Sequence, residues 1–175
     1  MTMHTPSQSQ SSHDEANHSS TDDQLQLVTF NIADEEYAVD ILAVQEINRM
    51  MELTRVPQSP AEVEGVINLR GKIIPVLDLR TRFAIPKSAP TERTRIIVVE
   101  VHGRVLGFVV DRVQEVLRIS RSIVDPAPEM VCSIDSDFID GVGKLDDRLL
   151  ILLNLSRLFN HETTEAAAEA ASHAD

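Results

Sequence analysis

Tryptophan is absent, and one tyrosine with five phenylalanines makes aromatics only 3% of the 175 residues. A core built from this chain must therefore be mainly aliphatic, and there is no aromatic platform on which nucleic-acid bases could stack. A single cysteine, Cys132, excludes an internal disulfide and leaves no second thiol for a paired metal site. No apolar run approaches the ~20 residues needed to cross a bilayer, which speaks against direct membrane insertion. The first residues lack the basic and apolar regions of a secretory signal, so a cytoplasmic protein is expected. Asn17-His18-Ser19 and Asn154-Leu155-Ser156 fit the glycosylation sequon, but without a signal they carry no weight.

Basic residues are scarce as well, with 16 against 28 acids and a net charge of −12. Residues 1–24 hold Asp14, Glu15, Asp22 and Asp23 without a base, and residues 161–175 hold Glu162, Glu165, Glu169 and Asp175 without a base. Setting those eight aside leaves 20 acids and 16 bases between 25 and 160, so the acidity belongs mostly to the ends. With no Lys/Arg stripe, nucleic acid and anionic membrane surfaces are poor partners. Catalytic constellations are missing too. There is no Gly-rich phosphate loop and no nucleophile elbow, and Asp135, Asp137 and Asp140 lack the Gly and Glu positions of a calcium loop. The residues thus speak for a protein that is not an enzyme and needs no cofactor.

Residues 1–24 carry almost no large apolar group and read as a disordered acidic tail. Three of the six histidines (His4, His13, His18) fall there; solvated filler is the simpler reading beside weak metal binding. Residues 161–175 read as an Ala/Glu-rich C-terminal tail, a frayed helix at most. A chain cut to Gln24–Asn160 is therefore expected to keep a cooperative thermal transition.

Between the ends, the short Val/Ile/Leu runs Leu25–Ile32, Ile73–Leu79, Ile96–Val101, Val105–Val110 and Leu149–Leu155 are punctuated by turns at Ala33-Asp34-Glu35-Glu36 and His102-Gly103. They predict mainly antiparallel β-structure. Ser59-Pro60-Ala61-Glu62 has the form of a capping box opening a helical turn closed by Gly65, and Asp40 can cap another. Pro75 cannot donate to a ladder, which places its strand at an edge or a bulge.

A repeat emerges when the middle is laid on itself. At an offset of 76, Gly65, Val66, Leu69, Leu77, Leu79 and Phe83 meet identical residues at Gly141, Val142, Leu145, Leu153, Leu155 and Phe159, and Asp78 meets Asn154 as a second N-cap. At an offset of 69, Val44-Gln45-Glu46-Ile47 meets Val113-Gln114-Glu115-Val116. The pattern predicts two similar β lobes, about 25–90 and 91–160, each too small to be stable alone. Asn68-Leu69-Arg70-Gly71-Lys72 is a polar turn in which Gly71 can take positive φ and project Arg70 outward. Its second-lobe positions are Asp146 and Asp147, so the two lobes are expected to present heads of opposite charge.

The blocks Glu35-Glu36-Tyr37-Ala38-Val39-Asp40-Ile41, Val44-Gln45-Glu46-Ile47, Gly65-Val66-Ile67-Asn68-Leu69-Arg70-Gly71 with Ile74-Pro75-Val76-Leu77-Asp78-Leu79, and Asp125-Pro126-Ala127-Pro128 together resemble the bacterial chemotaxis coupling protein family, CheW, over about residues 25–160. The resemblance implies two SH3-like five-stranded β-barrels with short helices and possible strand exchange between them, so the midpoint near residue 90 is no strict boundary. It implies a non-enzymatic adaptor that joins the cytoplasmic tips of chemoreceptors to the regulatory domain of the histidine kinase CheA in membrane-bound receptor arrays. The partner-binding set it implies is Val44, Glu46, Ile47, Leu69, Arg70, Gly71, Val116 and Met130, around a groove between lobes, with Arg70 expected near Glu46. The loop from Ile123 to Met130 is the expected kinase contact; family members often carry a basic residue where Asp125 stands. A coupling protein of a non-flagellar chemosensory pathway would look the same, whereas a receiver-linked protein has no room here. A metal-dependent or hydrolytic enzyme would need the ligand or nucleophile cluster that is missing.

Overall fold

The five aliphatic runs are strands in the computed structural model, which describes residues 23–126 and 136–173. In chain order the strands are β1 (Gln24–Ile32), β2 (Glu35–Asp40), β3 (Val44–Arg49), β4 (Val63–Leu69), β5 (Lys72–Asp78), β6 (Arg95–Val101), β7 (Arg104–Val110), β8 (Arg112–Ser120), β9 (Val124–Asp125), β10 (Ile139–Lys144) and β11 (Leu149–Leu153). Two short helices follow strands, α1 (Leu79–Arg82) after β5 and α2 (Leu155–Leu158) after β11, and α3 (His161–Ser172) follows α2. The fold is mainly β, with one sheet ordered β8-β1-β2-β11-β10-β9 and a second ordered β3-β6-β7-β5-β4.

The two orders are the same pattern twice, because the sequence repeat is a structural one. β1, β2 and β3 correspond to β6, β7 and β8 at offset 69; β4, β5 and α1 correspond to β10, β11 and α2 at offset 76. The leading hairpin of each repeat, however, joins the sheet of the other. β1–β2 sits between β8 and β11, while β6–β7 sits between β3 and β5. The lobes consequently divide the chain as 24–40 with 112–153, and 44–110, rather than near residue 90. The match extends to irregularities: a bulge at Val63/Gly65 recurs at Ile139/Gly141. Gly65 and Gly141 are glycines for one reason, since a Cβ would lie 2.7 Å from the Thr54 carbonyl oxygen or 2.6 Å from Val124 Cγ1.

Exchange of hairpins creates three apolar cores. One lies within the first sheet (Leu27, Ala38, Ile119, Leu150, Leu152) and one within the second (Ile67, Ile74, Val76, Ile96, Val98). The largest lies between them and draws on both, including Phe30, Tyr37, Leu77, Phe83, Ile97, Phe108 and Phe159. The few aromatics are concentrated there: Phe83, Tyr37, Phe30, Phe108 and Phe159 form a chain of rings with successive centroids 5.5, 6.0, 5.6 and 5.9 Å apart. Such offset and tilted pairs add ~0.5–1.5 kcal/mol each beyond their burial.

Three local expectations meet corrections, and the Asp40 cap holds. Ser59-Pro60-Ala61-Glu62 makes only a turn, because Val63 N bonds to the Pro60 carbonyl at 3.0 Å and the chain runs straight into β4, while the Ser59 hydroxyl donates to the Val56 carbonyl instead of capping. Asp40 does cap, accepting from Leu42 N at 2.9 Å, but the 3-10 turn Ile41–Ala43 gives way to β3 at once. Pro75 lies on an interior strand. Val66, its partner on β4, spends both backbone groups on Thr54 (3.0 and 2.8 Å), so the Pro75 nitrogen faces away from β4, and pairing with β7 starts only at Val76. No ladder bond is lost there.

The last correction concerns the ends. Gln24 already belongs to β1, and residues 1–22 and 174–175 lie outside the described residues. The C-terminal segment is helix rather than tail: Asn160 caps α3 by accepting from Thr163 N at 2.9 Å, and Thr164, Ala167 and Ala170 are buried against the shared core and β5. A face of Ala and Thr has little hydropathy contrast, yet its small side chains let the helix approach closely.

Two predictions follow from this packing. Ending the chain at Asn160, or burying an unpaired charge with Ala167→Asp, should lower Tm by ~6 °C or more, taking ~3 kcal/mol at 2–4 °C per kcal/mol; an unchanged thermal melt would show that α3 only rests on the surface. The second concerns the equivalent caps Asp78, accepting from Arg80 N at 2.9 Å, and Asn154, accepting from Arg157 N at 3.0 Å. Burial pushes the Asp78 carboxyl above its ordinary value of 3.8, against the Arg80 N–H bond that favours the charge. A raised folded-state value means that this group's contribution to stability is full below the unfolded value and is lost as pH rises through the folded one. Asp78→Asn keeps the cap without the charge, so Tm should rise by ~1–3 °C at pH 7 and the gain should fade towards pH 4. A lower Tm for the variant at pH 7 would contradict this.

Candidate partner-binding site

The repeated Val-Gln-Glu block encodes a β-bulge. On β3, Val44 pairs with Val99 and Glu46 with Val98, leaving Gln45 as the extra residue; on β8, Val113 pairs with Phe30 and Glu115 with Thr29, leaving Gln114. A bulge re-aims the side chains that follow it. Glu46 lies opposite Val98, whose side chain belongs to the interior of its own lobe, whereas Ile47 lies opposite Ile97 of the shared core. Glu46 is thereby turned into its lobe and Ile47 towards the other.

Arg70 arrives from the far side of the same sheet. The β4–β5 hairpin turns on Arg70 (φ 53°) and Gly71 (φ 84°), with Asn68 Oδ1 accepting from Gly71 N at 2.9 Å. Its guanidinium reaches Glu46 on edge strand β3 at 2.5 Å, so the sheet curls until its opposite ends meet. Asn48 Nδ2 donates to the other carboxylate oxygen at 3.1 Å. The Asn48 bond first, and the Arg70 guanidinium after it, hold the Glu46 carboxyl below its ordinary value. The Arg70 side chain remains 80% exposed and Glu46 24%. Beneath the pair is a groove of about 360 Å3 lined by Gln45, Glu46, Leu69, Arg70, Lys72, Ile74, Val98 and Val105.

The expected site residues therefore separate into groups. Glu46, Leu69 and Arg70 come together on a groove lined by one lobe alone rather than between lobes, with Gly71 in the turn that carries Arg70. Val44 packs against the shared core. Ile47 (39% exposed) and Val116 (56% exposed) are pseudo-equivalent residues on the faces that β3 and β8 turn towards the other lobe, opposite Ile97 and Val28 of the shared core. Met130 and the rest of the second half of the loop expected to contact the kinase, residues 127–130, lie outside the described residues; Asp125, in its first half, pairs with Lys144 at 2.8 Å.

The second lobe departs from the expected opposition of charge. Arg148, two residues beyond the position aligned with Arg70, bonds to Glu115, the counterpart of Glu46, at 2.7 Å. It also faces Glu36 at 2.9 Å and Asp147 at 3.6 Å, and is 35% exposed. Both lobes thus carry an Arg–Glu pair, but three carboxylates enclose Arg148 whereas Arg70 has one and presents its charge. Sequence reasoning missed Arg148 because it compared only the turn residues 70–71 with 146–147, whereas Arg148 is the counterpart of Lys72 and closes the turn, its carbonyl accepting from Leu145 N at 2.9 Å. Among the described residues no group of three or more His, Cys, Asp or Glu is placed to hold a metal, and no helix is long and apolar enough to cross a membrane.

Comparison with known proteins fits this geometry. The CheW-like domain profile matches residues 26–163. A probable chemotaxis protein CheW of Rhizobium etli is 38% identical over 142 residues, spanning 81% of this chain and 92% of that protein. The chemotaxis protein CheW of Klebsiella aerogenes is 39% identical over 137 residues, 78% and 82% of the respective chains. The crystal structure of the scaffolding protein TtCheW from Thermoanaerobacter tengcongensis superposes with a TM-score of 0.72 at 41% identity, covering 79% of this chain and 90% of that one. With a profile that spans most of the chain and relatives that match along nearly their whole length, the chain belongs to the CheW-like domain family.

Proposed function

We propose that this protein is a non-enzymatic chemotaxis adaptor that couples the cytoplasmic tips of chemoreceptors to the regulatory domain of the histidine kinase CheA, working in the cytoplasm on membrane-bound receptor arrays without a cofactor. One observation carries the reading. Arg70 occupies a positive-φ turn position that suits Asn or Gly and costs a residue with a Cβ ~1–2 kcal/mol, yet its guanidinium is tethered by Glu46 and left exposed. An exposed, pre-oriented arginine kept at a strained position is suited to partner recognition, because little side-chain entropy remains to be lost on docking. The apolar Ile47 and Val116 offer contact area on the seam-facing edges, and the relatives named chemotaxis proteins and a scaffolding protein support the pathway.

Co-sedimentation of the full chain with a receptor cytoplasmic fragment and the kinase tests this. Arg70→Ala should fold normally but bind ~30-fold more weakly, the effect of truncating an arginine anchor worth ~2 kcal/mol. Arg70→Gly should go further in separating the two properties, raising Tm by ~2–4 °C through relief of the positive φ while binding falls as in the alanine variant. Wild-type binding by both variants would remove Arg70 from the site, and absence of binding by the wild-type chain would defeat the adaptor role.

A further inference from the structure

We propose that Gln45 is a positioning residue for this site, its carboxamide fixing the β3 bulge so that Glu46 faces Arg70; the inference rests on the coupling role assigned to that pair. Gln45 Nε2 donates to Glu100 Oε2 on β6 at 3.1 Å, across the strand pair that the bulge interrupts. The equivalent extra residue in the other lobe, Gln114, donates to Asn31, the counterpart of Glu100. The same residue type at the same bulge, making the same cross-strand bond in two lobes whose other surface residues differ, points to a role in holding the bulge.

The lobes differ in what else secures it. Thr29 is fully buried opposite Glu115; its hydroxyl donates to the Glu115 carbonyl and accepts from Glu115 N, both at 3.2 Å, which pins the β8 bulge from beneath. The counterpart of Thr29 is Val98, opposite Glu46, and a valine side chain has no hydrogen-bonding atom. Orientation of Glu46 depends on the Gln45–Glu100 bond to a degree that orientation of Glu115 does not depend on Gln114. Glu46 follows Gln45 directly, so an unanchored bulge rotates the carboxylate away from both Asn48 and Arg70.

The test uses the full chain with three readouts: Tm, the carboxyl titration of Glu46 by 13C NMR, and co-sedimentation with the receptor fragment and kinase. Gln45→Ala and Glu100→Ala should each leave Tm within ~2 °C of wild type, move the Glu46 titration up towards its ordinary 4.5, and weaken binding ~5–10-fold. The double variant should be no worse than either single one, because one bond is lost in all three. Glu100→Gln keeps an acceptor for Gln45, and Gln114→Ala lies in the pinned lobe, so both should match wild type. An unmoved Glu46 titration in Gln45→Ala, or an equal movement in Gln114→Ala, overturns the proposal. A shifted titration with wild-type binding would uphold the positioning role and refute instead the coupling role of the Glu46–Arg70 pair.

Discussion

The chain of rings from Phe83 through Tyr37, Phe30 and Phe108 to Phe159 joins elements that no contiguous half of the sequence contains. Tyr37 and Phe30 arrive on one exchanged hairpin and Phe108 on the other, while Phe83 and Phe159 are the residues that close α1 and α2. Neither lobe is complete until both hairpins have crossed. A lobe of some 60 residues buries too little surface to stand comfortably alone, and exchange converts that weakness into a common interior larger than either private one. The crossing also links the lobes by polar contacts: Asp111, at the end of β7, accepts from Ala33 N in the β1–β2 turn at 2.8 Å and from Arg80 of α1 at 2.5 Å. A displacement at one lobe is thereby resisted by the other.

Curling each sheet until its ends meet is what brings the Arg–Glu pairs into being. Glu46 and Arg70 stand 24 positions apart in sequence and at opposite sides of one sheet, so their contact is a property of the closed lobe rather than of a local motif. The bulge is the device that makes it possible. In an uninterrupted strand Val44 and Glu46 would face the same way; one extra residue allows Val44 to enter the shared core and Glu46 to enter its own lobe.

Legibility from sequence followed the range of the interaction. The strands were visible because each aliphatic run is bounded by turn residues, and the two repeats were visible because Gly65 and Gly141 leave no room for a Cβ and Asp78 and Asn154 cap equivalent helices. Proximity of Glu46 and Arg70 was legible through the family resemblance. The possibility of exchange came from the same resemblance and not from the strands themselves, since a hairpin's own hydrophobic pattern is satisfied equally by either sheet. Helix α3 was hidden because it buries Ala167 and Ala170, residues that composition alone assigns to a solvated Ala/Glu tract. Arg148 was hidden because it stands at the position aligned with Lys72 and not at the one aligned with Arg70, although the carboxylate it must reach stays in place.

Duplication followed by divergence at a few side chains accounts for the inequality of the two ends. Both lobes retain the glutamine of the bulge, the glutamate after it and an arginine to meet that glutamate. In one, Glu36, Glu115 and Asp147 face Arg148, and Thr29 pins the strand beneath; that arginine's charge is balanced within the molecule. In the other, a valine replaces the threonine, one glutamate faces the arginine, and the turn lifts the guanidinium into solvent. A guanidinium faced by several carboxylates has its charge balanced within the fold, whereas one that faces a single carboxylate and solvent has capacity for a second molecule. The same architectural element therefore serves as a closure in one lobe and as an opening for recognition in the other, and the difference lies in the number of carboxylates within reach of a guanidinium.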